Sequence, residues 1–306
     1  MTEPVLAVDC GGTEIKAGIV CRDGLVRAQY RLASREGQGL AAWAEAVMTA
    51  ARHALADWAG PAPVRLGLSV PGAVDPATAT LVDLVTRLPE GKQAPLAELF
   101  APLSLPVSAD NDARAALLAE RRWGAARGVD NLVLMTVGTG LGGAALVDGR
   151  APGGDPLLAG TQIGHLSIDL YGELCVCGNV GCAERRASGP GLVRLAAARG
   201  LSVKDAAAVF AACRDGVPAA ARAVEDFIDA LAAAVVNAIH AYQPELVVLG
   251  GGVLRSAELI LPRLRDVVAE RAWTVPRGRV QVVESALGDG LGILGAAAIA
   301  FSPSRA

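Results

Sequence analysis

Short apolar runs broken by polar and glycine turns mark the chain from its first residues. An apolar run at 5–8 (VLAV) is cut off by Asp9 and two glycines. A second run at 15–20 (IKAGIV) follows, then an "RDG" turn, then "LVRAQYRL". Three such runs with tight turns between them predict an antiparallel meander. Trp43, Val47, Ala50, Ala54 and Trp58 recur at helical spacing, which predicts a helix over about 38–58. The stretches at 64–70 (VRLGLSV) and 105–110 (LPVSAD) read as short strands, and "NDARAALLAERRW" opens a helix. Further on, Val224, Phe227, Ile228, Leu231, Val235 and Ile239 share one face of a helix over 217–243. A strand at 245–253 runs into three glycines, and 288–301 is a closing helix. Strands alternating with helices make the chain α/β.

One pattern occurs twice. "VLAVDCGGTEIKAGIVCRDG" at 5–24 is echoed by "NLVLMTVGTGLGGAALVDGR" at 131–150. Each is an apolar strand, a Gly/Thr-rich turn, a second strand and a "DG" turn. The echo predicts two similar domains, each starting on a glycine-rich hairpin.

Composition narrows the class. Hydrophobic residues make up 52% of the 306 residues, and mean hydropathy is +0.40, so a membrane span has to be considered. No uncharged apolar run reaches the roughly 18 residues that a span needs. "LAAAVVNAIHAY" at 231–242 has the length of a core helix. The N-terminal stretch lacks a basic segment and a cleavage site, so no signal peptide is expected. A net charge of −3 gives no general nucleic-acid footprint, and "RR" at 121–122 and 185–186 is assigned to solvated faces. Six cysteines are too few for a disulfide scaffold at this length. The expectation is a cytoplasmic protein of enzyme size with neither a membrane nor a nucleic acid as partner.

The glycine turns carry candidate chemistry. In "DCGGTEIK", Gly11 and Gly12 let backbone N–H groups approach an anion, Thr13 offers a hydroxyl and Lys16 a point charge. Asp9, at the end of a strand, can hold Mg2+ directly or through water. "GTGLGG" at 138–143 offers the same amides without a lysine. Each turn alone reads equally well as an ordinary hairpin, and neither has Walker or Rossmann spacing. With "LGGG" at 249–252 after a strand, they favour a nucleotide clamped between two domains. Asp110, Asn111 and Asp112 lie at a strand–helix junction, where Asp and Asn serve equally as caps.

Between 165 and 182 the chain gathers His165, Cys175, Cys177 and Cys182 as H-x9-C-x-C-x4-C. Three thiolates and one imidazole make a tetrahedral zinc site. The competing readings are a disulfide, disfavoured in the cytoplasm, and a redox C-x-x-C, which is absent. Cys10, Cys21 and Cys213 have no such spacing and read as thiols of the packed interior. His53 and His240 lie in helical stretches and are given ordinary structural roles.

The order DxGGTxxK, SxPGxxD, NDA, GTGxGG, GH, CxCGxxGCxE, LGGG resembles the ROK family of repressors, open reading frames and sugar kinases over essentially the whole chain. The resemblance implies an actin-like (ribonuclease-H-like) duplicated two-domain fold with an interdomain cleft. It places ATP and Mg2+ in that cleft, with a sugar beside the γ-phosphate, and implies domain closure. The smaller domain is expected at 1–115 plus 289–306 and the larger at 116–288. The resemblance makes Asp9, Gly11, Gly12, Thr13 and Lys16 the first phosphate motif. Gly138, Thr139, Gly140 and Gly142 are then the second, and Gly250, Gly251 and Gly252 lie near the adenosine. It makes Asp112 the general base and gives Asn111, Gly72, His165 and Glu184 to the sugar. His165 then serves both zinc and sugar.

Two positions depart from the family pattern. Gln162 stands where a glutamate is usual, three residues before the motif histidine, and Arg87 replaces an amide in "RLPEGK". Both fall where sugar specificity is expected to lie, which predicts an altered acceptor with kinase chemistry retained. A sugar-responsive repressor would need a helix-turn-helix before the first strand, for which about four residues leave no room. A non-catalytic sugar-binding protein would be expected to have lost the base or a phosphate motif. A homodimer is expected from the habit of the family.

Overall fold

The apolar run at the N-terminus forms β1 (Val5–Cys10), and β2 (Glu14–Val20) and β3 (Val26–Ala33) complete the antiparallel meander. This computed structural model describes residues 3–83, 92–152, 157 and 162–302. Strict alternation is confined to β3, the edge strand, where every second residue faces solvent. β4 (Leu66–Val70) is buried throughout and joins β1 in parallel. Short β5 (Ala73–Asp75), β6 (Thr80–Asp83) and β7 (Ala94–Pro95) form a small separate sheet, and β8 (Val107–Asn111) returns to pair with β4. The main sheet therefore has the order β3-β2-β1-β4-β8.

The helix predicted over 38–58 is α1 (Leu40–Ala56), with Trp43, Val47, Ala50 and Ala54 buried on its inner face. It stops before Trp58, contrary to expectation. Asp57 closes the helix, and the Trp58 indole turns away to donate to the Pro61 carbonyl at 2.8 Å. Beyond the one-turn α2 (Leu96–Leu99), two further helices, α3 (Asp112–Trp123) and the closing α8 (Leu291–Phe301), pack on each other. The latter is apolar all round and buried from Ile293 to Ala300, as a helix enclosed by a core must be. It lies on β1 and β4.

The second sheet has the order β10-β9-β11-β12, from β9 (Leu132–Val137), β10 (Leu141–Leu146), β11 (Leu246–Gly250) and β12 (Gln281–Glu284). An antiparallel hairpin, β9–β10, is followed by two parallel strands, as β1–β2 is followed by β4 and β8. The repeat in the sequence thus has a counterpart in strand order. Its helices include α4 (Gly189–Ala197), α5 (Ala206–Arg214), the long α6 (Pro218–Tyr242) and α7 (Ala257–Arg271). The six residues predicted to share one face of α6 are all buried.

Two compact units result, one comprising 1–127, 153–159 and 289–306, the other 128–152 and 160–288. The boundary expected at 115/116 falls inside α3, which stays whole in the first unit because it packs along α8. The two units are also nearly equal in length. The cysteines are free thiols. His53 stacks on Tyr30, and His240 accepts from the Trp273 N–H, so both have the structural roles expected. Among the described residues no helix is long and apolar enough to cross a membrane.

Candidate active site

In the first unit the chemistry collects at the carboxyl ends of β1, β4 and β8. Asp9 is in register with Ser69 on one side and Lys16 on the other. Ser69 Oγ donates to Asp9 Oδ1 at 3.2 Å. Burial pushes the Asp9 carboxyl above its ordinary range, against the opposing pull of the Lys16 ammonium and the Ser69 hydroxyl. A carboxylate held this way gains from a divalent cation, so the donor suits Mg2+. Gly12 and Thr13 are exposed in the turn, open to a ligand, while Lys16 is half-buried with Glu14 at 4.0 Å.

Asn111 settles which residue caps α3. Its Oδ1 accepts from the N–H groups of Ala113 and Arg114 at 2.9 and 3.3 Å. Its Nδ2 donates to the Gly72 carbonyl at 3.0 Å, so these two predicted sugar residues are in direct contact. One N–H of the Asn111 amide remains for a ligand beyond these bonds. Asp112 follows as the first residue of the helix, where the N-terminal dipole favours a negative charge.

Behind Asn111 is a buried ion pair that the sequence did not single out. Arg114 donates from Nε to Asp110 Oδ1 at 2.7 Å and from Nη2 to the Val74 carbonyl at 3.2 Å. Asp110 Oδ1 also accepts from the Asn111 N–H. The pair fixes the junction that presents Asp112. Removing either partner leaves a buried charge uncompensated, at a cost of about 3–5 kcal/mol.

In the second unit the turn Gly138–Gly140 joins β9 to β10. It is closed by the Gly138 N–H donating to the Gly140 carbonyl at 2.9 Å. Gly250 pairs in register with Thr136, and Gly251 lies against Val137 so closely that a Cβ would stand 2.5 Å from its carbonyl oxygen. The turn expected to be the second phosphate motif and the "LGGG" segment are therefore neighbours.

His165, Cys175, Cys177 and Cys182 come together with all four candidate ligand atoms within 4.8 Å of one another. Zn–S bonds near 2.3 Å and a Zn–N bond near 2.0 Å set the edges of a tetrahedron at about 3.8 Å for S···S and about 3.6 Å for S···N. The Cys177 and Cys182 sulfurs are 3.6 Å apart, and Cys175 Sγ lies 3.7 Å from His165 Nδ1. Burial, together with the thiols of Cys177 and Cys175, pushes the Cys182 thiol up to about 12. Such a thiol ionises at neutral pH only against a cation. The donor set fits zinc. Because Nδ1 faces the sulfurs, Nε2 is the ring nitrogen left for another partner.

The "RR" at 185–186, expected on a solvated face, does more. Arg185 pairs with Glu173 and Arg186 with Asp169 at 3.8 Å, tying the cysteine loop to the turn at 183–186 that follows it. Gln162 is exposed at the head of a 3-10 turn, Gln162–His165. Arg87 lies outside the described residues.

Two units of matching strand order, each opening on a glycine-rich hairpin, define an actin-like ATPase fold. Residues 5–302 match the ROK family, and the chain belongs to it. It is similar to the glucokinase of Thermotoga maritima, at 31% identity over 96% of this chain and 96% of the relative. A ROK family glucokinase from Streptomyces griseus, solved in complex with glucose and AMPPNP, superposes with a TM-score of 0.85. That match is 28% identical and covers 98% of this chain and 99% of the other. A ROK hexokinase from Thermus thermophilus superposes at 0.79 with 30% identity, covering 97% and 98%.

Proposed function

We propose that the protein is an ATP-dependent sugar kinase that transfers the γ-phosphoryl group to a hydroxyl of a hexose or hexose-like sugar. The observation that carries this reading is the junction at Asn111. The same amide caps α3 and holds the Gly72 carbonyl, which sets a carboxylate, Asp112, on a rigid helix start beside the proposed acceptor wall. Family membership and the relatives named glucokinase support it.

In the proposed reaction the acceptor oxygen attacks the γ-phosphorus, the bond to the β-phosphate bridging oxygen breaks, and ADP leaves. Asp112 takes the hydroxyl proton as the new P–O bond forms. Asn111 and Gly72 orient the acceptor, and the amides of Gly11, Gly12 and Gly140 with Lys16 receive the phosphates, the Gly138 N–H being the one that closes its turn. Asp9 would hold Mg2+, which neutralises charge on the phosphates. Most of the acceleration comes from such positioning and charge neutralisation. Cys175, Cys177, Cys182 and His165 would hold a structural zinc that fixes the loop presenting His165 Nε2 and Glu184 to the sugar. The reaction would take place in the cytoplasm.

A panel of hexoses, amino sugars and polyols with MgATP, read by ADP release and by mass of the product, tests the assignment. Phosphorylation of at least one is expected, with glucose not the best acceptor because Gln162 lacks the charge of the usual glutamate. Failure of every acceptor would favour a sugar-binding protein without catalysis. Metal analysis is expected to find one zinc per chain and to lose it in Cys175→Ser. That variant should melt lower, since structural zinc contributes directly to folding. Full zinc retention would remove Cys175 from the ligand set.

A further inference from the structure

Leu141, the first residue of β10, is gripped on both sides of its backbone. Its N–H donates to Glu184 Oε2 at 2.9 Å. Its carbonyl oxygen lies so close to Gly164 that a Cβ there would stand 1.8 Å away. A Cβ on Gly140, one residue earlier, would stand 2.5 Å from the same Glu184 oxygen. Two residues before Glu184 is Cys182 and one after Gly164 is His165, so both grips come from the cysteine–histidine loop. From the other side, the Gly189 N–H at the start of α4 donates to the Gly138 carbonyl at 2.8 Å. The turn that is to receive phosphate is therefore held by the segments that are to receive the sugar.

We propose that Glu184 is a positioning residue for the nucleotide as well as a contact for the acceptor. Oε2 fixes the Leu141 N–H and through it the Gly138–Gly140 turn, and Oε1 remains for a sugar hydroxyl. The division suits a carboxylate, whose two oxygens can accept independently. It makes occupancy of the two substrates interdependent. A sugar hydroxyl on Oε1 restrains the carboxylate whose other oxygen sets the turn, and by linkage nucleotide on the turn restrains the sugar contact. The sugar half of this proposal rests on the kinase reading, while the grip on Leu141 does not.

The test separates the two. Amide hydrogen exchange over 136–145 is measured in the ligand-free protein for wild type, Glu184→Gln, Glu184→Ala and Gly140→Ala. Glutamine keeps an oxygen acceptor, so Glu184→Gln should protect Leu141 as wild type does. Glu184→Ala should speed exchange of that amide at least tenfold, the usual scale for one lost hydrogen bond to a charged group. Gly140→Ala, which retains the carboxylate but pushes it off the Leu141 N–H, should do the same and guards against a general loosening in the Glu184→Ala variant. Calorimetric titration with MgADP should then show about tenfold weaker binding in Glu184→Ala and near-normal binding in Glu184→Gln. Unchanged exchange at Leu141 in both Glu184→Ala and Gly140→Ala overturns the proposal, as does unchanged MgADP affinity in Glu184→Ala. Altered exchange and MgADP binding in a protein that phosphorylates no sugar would keep the positioning role and reject the kinase reading alone.

Discussion

Asp112→Asn is expected to lower kcat about a thousandfold while leaving the protein folded and both substrates bound within a few-fold. General-base assistance contributes about 10²–10⁴ to a proton transfer of this kind. Asparagine keeps an oxygen to accept the acceptor O–H but cannot take the proton. The fold should tolerate it because the cap of α3 is Asn111, whose Oδ1 holds the Ala113 and Arg114 N–H groups. Asp112 itself gives the helix its charge at the first turn, about 0.3–1 kcal/mol, and an Oδ1 that accepts the Ala113 N–H at 2.8 Å, an acceptor that asparagine keeps. Initial-rate kinetics alongside thermal melting check the result. A kcat within tenfold of wild type would take the base role away from Asp112.

Gly292→Ala should cost at least a hundredfold in kcat/KM for ATP, although it adds one methyl group and removes no functional atom. A Cβ at this position would stand 2.0 Å from Asp9 Oδ2 and 2.4 Å from its Cγ. Either the carboxylate swings away from Ser69, or α8 shifts off β1. Helix propensity alone favours the substitution by about 1 kcal/mol, so a loss cannot come from the helix itself. The effect should also be non-additive. In a cycle with Asp9→Ala, the double variant should be no slower than Asp9→Ala alone, because each change removes the same carboxylate position. Independent, multiplying losses would mean that Gly292 acts through packing elsewhere.

Much of this was legible in the chain because its periodicities are local. The hairpins, α1, α6 and the strand into "LGGG" follow from apolar spacing and glycine placement. Their ends follow less well. Trp58 fits the stripe of α1, but its indole finds the Pro61 carbonyl beyond the helix end, and spacing carries no record of that competition. The cysteine–histidine cluster was legible because its ligands share one loop. Ser69, the Asp110–Arg114 pair and Gly292 were not. Ser69 matters because parallel pairing sets it beside Asp9, and Gly292 because α8 comes back onto β1 from the far end of the chain. The return of 289–306 to the first unit was expected, but that α3 packs along this helix, which carries the unit on to residue 127, is not written in the spacing of either.

That return of α8 bears on how the chain is made. β1 and β4 leave the ribosome early, but the helix that covers them emerges only after the whole second unit has been synthesised. The second unit can fold as soon as β12 and its helices are out. The first keeps one face of its central strands uncovered until then, which leaves apolar surface open for the longest stretch of synthesis.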